Sequence, residues 1–154
     1  MSMQNAKDES ATAANVSGPA VHTYHCLCTE LVLASTTPLK TLSTRTADRA
    51  IICPLSPTPS ASSHYAVLHN TILDRKPTML QRQDGFEKRY LHRCPRCELI
   101  VGYQLDESQY EGPRKQGGRR EDVVYLLSEG LTSTEEMEVG ESVEGRTGLV
   151  AANG

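Results

Sequence analysis

The chain has 154 residues, with 16 Lys and Arg against 19 Asp and Glu and a formal net charge of -3. Only 38% of it is hydrophobic, with one Phe and no Trp, so the core is small and a cross-link is expected to support it. No apolar run reaches the roughly 20 residues that cross a bilayer, Met1 to Ala20 lacks the blocks of a secretory signal, and no dense stripe of Lys and Arg marks a dedicated nucleic-acid binder.

A soluble, intracellular protein follows from these exclusions, with at most a weak RNA contact. Residues 1–20 are rich in Ser, Asn, Ala and Thr and offer too little apolar surface to offset the entropy of ordering, so they are expected to form a disordered N-terminal arm. At Val21 the character changes. His22-Thr23-Tyr24-His25-Cys26-Leu27-Cys28 leads into Glu30-Leu31-Val32-Leu33-Ala34, whose β-branched and aromatic residues suit two short strands flanking a cysteine turn.

Thr44 to Ile52 carries Thr and Asp where a helix cap would need them, and one or two helical turns are expected. Pro54, Pro57 and Pro59, set among Ser and Thr, make 54–63 a loop. Tyr65 to Leu73 fits either a short helix or an irregular cover over a sheet. Met79 to Arg82 and Phe86 to His92, joined through Gln83-Asp84-Gly85, read as a hairpin. Leu99 to Leu105 is the strongest strand pattern, Gly112 to Arg120 is a basic, glycine-rich loop, and Asp122 to Leu127 reads as the last strand. From Ser128 to Gly154 there are six Glu against one Arg, which suggests an acidic disordered tail. The fold expected is mainly β, with a small α+β variant left open: a zinc-stabilised antiparallel sheet domain over 21–127 between disordered ends.

Five cysteines in a reducing compartment favour metal ligation over a disulfide framework. Cys26 and Cys28 stand two apart on extended chain and share a face, while Cys94-Pro95-Arg96-Cys97 has the spacing of a metal knuckle. Four thiolates suit a closed tetrahedral zinc site, so Cys26, Cys28, Cys94 and Cys97 are the metal ligands expected, closing a 65-residue separation. The competing reading pairs Cys94 with Cys97 as a redox couple, but the βαβ setting of such couples is missing. Cys53 reads as a buried thiol. His25 and His92 are read as surface or outer-shell groups, and His22, His64 and His69 lack ligand spacing. Arg89, Arg93 and Arg96 form either a basic face near the metal or a solvated strand edge. No nucleophile, phosphate loop or carboxylate pair points to catalysis, so no catalytic or cofactor-binding residue is assigned and no enzyme activity is expected.

Two blocks carry a family resemblance: His22 to Cys28 running through Leu31-Val32-Leu33 to Asp48-Arg49, and Arg82 to Tyr90 running through Cys94-Pro95-Arg96-Cys97 to Tyr103-Gln104. Together with the strand ending at Leu127 they resemble the STING ER exit protein family, over residues 22–52 and 79–127. The resemblance implies a non-enzymatic adaptor in exit of membrane cargo from the endoplasmic reticulum, working with lipid-kinase components and membrane curvature, in the cytoplasm near that membrane. It also implies a nuclear alternative among spliceosome components. A further alternative is an enzyme resembling the zinc-dependent formaldehyde-activating group. Glycine usually follows both cysteine pairs in the family, whereas Thr29 and Glu98 stand here.

Overall fold

The computed structural model describes residues 20–55, 64–110 and 118–139. Nearly all of the expected N-terminal arm, most of the 54–63 loop, residues 112–117 of the basic loop and the tail beyond 139 lie outside the described residues. Among the described residues, ten antiparallel strands build two sheets. The first contains β1 (His22–Cys26), β2 (Leu31–Ser35), β4 (Ala66–Leu68) and β10 (Leu131–Ser133), in the order β10-β1-β2-β4. The second contains β3 (Ile51–Pro54), β9 (Val123–Leu126), β8 (Ile100–Leu105), β7 (Gly85–Arg93) and β5 (Ile72–Leu73) in that spatial order, with β6 (Thr78–Arg82) also paired to β7.

Apolar side chains from both sheets share one core: Tyr24, Val32, Leu33 and Ala66 meet Ile51, Cys53, Val101, Val124 and Leu126, with Leu39 from the 3-10 turn Leu39–Thr41. Tyr24 secures that turn, its hydroxyl accepting the Leu39 N–H at 2.8 Å. The other face of the second sheet is covered too. Gly102 pairs with Leu126 and Tyr103 with Tyr125, and because side chains alternate along a strand, Leu126 enters the shared core while Tyr125 joins Tyr103, Leu105 and Ala50 in a second cluster. Gly102 has a specific steric role here: a Cβ built on it would lie 2.7 Å from the Tyr125 backbone oxygen. That oxygen belongs to the paired strand and cannot swing away, so Gly102→Ala is expected to cost about 1–3 kcal/mol, read as a lower denaturation midpoint at unchanged m-value.

The hairpin expected at 79–92 is present as β6 and β7, closed by a two-residue loop with Arg82 opposite Gly85. The positive φ lies at Gly85 itself, at 133°, rather than at Asp84. Three expectations are corrected. Thr44 to Ile52 is not helical: Arg49 takes a φ of 64°, its N–H reaches the Arg45 carbonyl at 2.8 Å, and the chain reverses so that Thr44 bridges Ile51. The β-branched Ile51 and Ile52 then pair with β9. Tyr65 to Leu73 forms β4 and β5, separated by a bend at Asn70 with φ 55°.

The largest correction concerns the tail. Val123–Leu126 is not the last strand, and the boundary drawn at 127/128 cuts through ordered structure. β10 pairs with β1, placing Tyr24 opposite Ser133, and residues 134–139 are helical. Their start is a reciprocal capping box, in which Ser133 Oγ accepts the Glu136 N–H at 3.0 Å and Glu136 Oε2 accepts the Ser133 N–H at 2.8 Å. Among the described residues, no helix is long and apolar enough to cross a membrane.

Candidate metal centre

Each half of the site is a strand that bulges and then turns. The β1–β2 ladder shifts register between Tyr24 and His25, just before Cys26, and the β7–β8 ladder shifts between His92 and Arg93, just before Cys94. A bulge re-aims the side chains that follow it, and in both halves it turns the first cysteine inward: Cys26 is 1% and Cys94 0% exposed. Each turn then closes with the same pair of bonds. Cys26 N–H donates to the Glu30 carbonyl and Thr29 N–H to the Cys26 carbonyl, both at 2.8 Å; Cys94 N–H donates to Leu99 at 2.9 Å and Glu98 N–H to Cys94 at 3.0 Å.

These turns bring the four sulfurs within 4.8 Å of one another. Cys26 and Cys97 Sγ lie 3.4 Å apart, and Cys28 and Cys94 Sγ 3.5 Å apart. A zinc ion with four bonds of about 2.3 Å holds its sulfurs roughly 3.8 Å from each other, so the spacing and the all-thiol donor set fit one tetrahedral ion. The four residues expected to converge therefore do so in an arrangement that can hold a metal. Backbone N–H groups aim into it. Burial opposes ionisation of Cys94, yet the N–H groups of Cys97 and Arg96 bring its thiol down to about 7. Burial pushes the Cys26 thiol up to about 12 in spite of the Cys28 N–H, so binding there must drive off a tightly held proton.

The two positions where glycine is usual turn out to need it. Thr29 has φ 80° and Glu98 φ 64°, both in the left-handed region that costs an L-residue on the order of 1–2 kcal/mol, and a β-branched residue is a genuine outlier there. Glycine removes that strain but has more freedom to lose on folding. Thr29→Gly and Glu98→Gly are each expected to raise stability by about 0.5–1 kcal/mol, measured as a higher thermal midpoint of the metal-loaded protein.

Of the other residues singled out from sequence, Cys53, His92, Arg89 and Arg93 make their side-chain contacts away from the sulfurs, while the Arg96 N–H lies 3.4 Å from Cys94 Sγ. Cys53 is fully buried in the shared core, and burial lifts its thiol to about 12, as expected of a packed cysteine. His92 is buried on Gln104 Oε1 at 2.7 Å and Thr71 Oγ1 at 3.0 Å. Arg89 pairs with Glu87 and Asp48, and Arg93 grips Asp74 with two bonds. Arg96 instead reaches across to the Cys28 carbonyl at 3.4 Å. Arg89 and Arg93 are thus tied to carboxylates rather than arrayed as a free cationic face.

The sequence reading missed a buried ionic group under the second sheet. Arg45 and Arg89 both clasp Glu87, with Arg45 Nη2 to Oε2 at 2.8 Å and Arg89 Nε to Oε1 at 2.6 Å. Tyr103 donates to Asp48 at 2.5 Å and accepts from Arg45 at 2.5 Å. A cavity of about 400 Å³ lies elsewhere, between β1, the 3-10 turn, β10 and residues 134–139. Its wall includes Tyr24, Leu39, Ile51 and Leu131 with His22 and Glu135 at its edge, and none of the cysteines.

A protein-family model described as the STEEP1 domain matches residues 15–141. The match spans the intervening segment between the two cysteine blocks and runs past β10, in accord with the pairing of β10 to β1.

Proposed function

Because this chain belongs to the STEEP1 domain family, we propose that it is a non-enzymatic adaptor whose architecture is fixed by one structural zinc ion and which serves exit of membrane cargo from the endoplasmic reticulum. The observation that carries the zinc assignment is the convergence of four sulfurs from turns 65 residues apart. Soft thiolate donors in a tetrahedral set favour zinc over the hard, oxygen-seeking ions. Four protein ligands also leave no open position for a reacting water or substrate, which speaks for a structural centre and against a metal hydrolase or thiol-adduct enzyme.

Support for partner binding comes from the β6–β7 hairpin. Phe86, the sole phenylalanine of the chain, is 63% exposed, and Met79 is 57% exposed. Gln81 lies opposite Phe86 and Met79 opposite Lys88, so Met79 and Phe86 are diagonal neighbours on one face. Aromatic and methionine side chains held on a rigid hairpin are the kind of anchors that protein interfaces use. The engagement of Arg89 and Arg93 with carboxylates weighs against RNA as the main ligand.

Proximity labelling in cells tests this reading, with a Met79→Ser/Phe86→Ser variant as control. Enrichment of vesicle-coat and lipid-kinase components that the double variant loses is the expected result. A labelled set made up of spliceosome components would move the protein to the nucleus and overturn the traffic assignment.

A further inference from the structure

In each half of the site the residue immediately before the first cysteine reaches over the turn to the left-handed residue that ends it. His25 Nδ1 lies 3.0 Å from the Thr29 carbonyl oxygen, and Arg93 Nη1 lies 3.3 Å from the Glu98 carbonyl oxygen. A carbonyl can only accept, so both side chains donate. Both are themselves anchored from outside the knuckle: His25 Nε2 meets Thr134 Oγ1 at 3.0 Å, and Arg93 binds Asp74 through Nε at 2.9 Å and Nη2 at 3.2 Å. The same device thus occurs twice, on two unrelated stretches of sequence, with different donors and different anchors.

We propose that His25 and Arg93 are positioning residues for the metal centre, clamping the two non-glycine left-handed turns so that their cysteines stay aimed at a common ion. The inference rests on the zinc assignment above and adds to it two residues that touch no ligand atom. The physical reason lies in the peptide plane. The carbonyl of Thr29 belongs to the rigid Thr29–Glu30 amide, which lies between the two bonds that close the turn, from the Thr29 N–H to the Cys26 carbonyl and from the Cys26 N–H to the Glu30 carbonyl, both at 2.8 Å. Fixing the oxygen on His25 therefore holds closed the turn that carries Cys26 and Cys28. Without the clamp, a threonine held at φ 80° relaxes toward negative φ, and the turn opens at its backbone bonds to Cys26. At the second knuckle, Arg93 restrains Glu98, at φ 64°, in the same way.

The anchors give the clamps a reach beyond the site. Thr134 opens the helical residues 134–139, and its hydroxyl also meets Thr23 Oγ1. The helical residues 134–139 are thereby linked to the first knuckle through the His25 imidazole, alongside the β1–β10 ladder. Asp74 follows β5 directly and ties that short strand to the second knuckle through Arg93.

The test uses the reduced full-length chain and Zn²⁺ alone, with affinity read by competition against a chromophoric chelator. His25→Ala and Arg93→Ala are each expected to weaken Zn²⁺ binding about 10- to 100-fold, the scale on which groups supporting metal ligands act. The loss should shrink to about threefold or less when Thr29→Gly accompanies His25→Ala, or Glu98→Gly accompanies Arg93→Ala, because glycine holds the left-handed turn unaided. His25→Arg, which installs at the first knuckle the donor used at the second, should recover most of the affinity.

Equal losses in the threonine and glycine backgrounds would mean general damage to the fold and overturn the clamp, as would no loss in either single variant. Should His25→Ala fail to fold, the Arg93 and Glu98 pair reads the same question independently. Failure of the unsubstituted chain to bind Zn²⁺ at a ratio of one would instead remove the metal assignment, and the clamp with it.

Discussion

Chelation of the reduced protein by a strong zinc ligand is expected to abolish its cooperative thermal transition and its sheet signal in circular dichroism. The magnitude follows from how little else ties the knuckles together. A domain of this size is stable by about 5–15 kcal/mol, and binding of a structural zinc contributes on the order of 10 kcal/mol to folding. Two of the sulfur-bearing residues, Cys26 and Cys94, are also members of the shared core. Loss of the ion would leave four thiols crowded within 4.8 Å, while the left-handed turns at Thr29 and Glu98 would lose the bonds that hold their cysteines in place.

Single substitutions should grade with burial. Cys94→Ser and Cys26→Ser place a weakly ligating hydroxyl where exposure is 0% and 1%, and each is expected to mimic chelation. Cys97→Ser alters an exposed ligand and should leave a folded protein with weaker binding. A chelated protein that melts at the temperature of the untreated one would show that the sulfurs are merely packed.

What could be read from the sequence, and what could not, follows from the range of the interactions concerned. The convergence of the cysteines was legible because a tetrahedral metal site constrains spacing: Cys26 with Cys28 and Cys94 with Cys97 are local pairs that can offer four thiolates to one ion. The strands β1, β2, β7, β8 and β9 were legible from runs of β-branched and aromatic residues. Thr44 to Ile52 misled because a capping residue ahead of Ala and Ile suits a helix locally, whereas pairing of Ile51 and Ile52 with β9 is a contact more than 70 residues distant along the chain. The region after Leu127 misled for another reason. Its glutamates lower mean hydropathy, yet Ser133-Thr134-Glu135-Glu136 spells a capping box, and that signal lay in plain view. The ionic group around Glu87 had no sequence signature, since Arg45, Asp48, Glu87 and Tyr103 are brought together only by the second sheet.

That group sets the second large expectation: Glu87→Gln should destabilise the protein by about 3–5 kcal/mol, the scale for stripping one partner from a buried ion pair. Glu87 is 5% exposed and faces two guanidiniums, and Arg45 also stacks 5.0 Å from the Tyr125 ring while Arg89 sits 4.0 Å from that of Tyr103. Neither cation can swing out to water without breaking those stacks. The amide of glutamine keeps the shape but not the charge, so two part-buried guanidiniums are left to share Asp48 as their carboxylate.

The acid limb of the stability curve offers an independent reading of the same group. Burial works against ionisation of Glu87, yet the bonds from Arg45 and Arg89 outweigh it and hold the carboxyl at about 2, below its ordinary 4.5. A carboxylate with a depressed folded-state value stabilises the fold fully above the unfolded value and loses that contribution as pH falls through the folded one. For Glu87 this is about 3 kcal/mol, present above pH 4.5 and lost toward pH 2. Asp48 adds in the same direction: burial is outweighed by its bonds from Tyr103 and the Ala50 N–H and by the charge of Arg89. The melting temperature of the unsubstituted protein should therefore fall steeply across that window, and that of Glu87→Gln should start lower and fall less. Parallel curves for the two proteins would place the acid sensitivity in other carboxylates and reduce Glu87 to a packing residue.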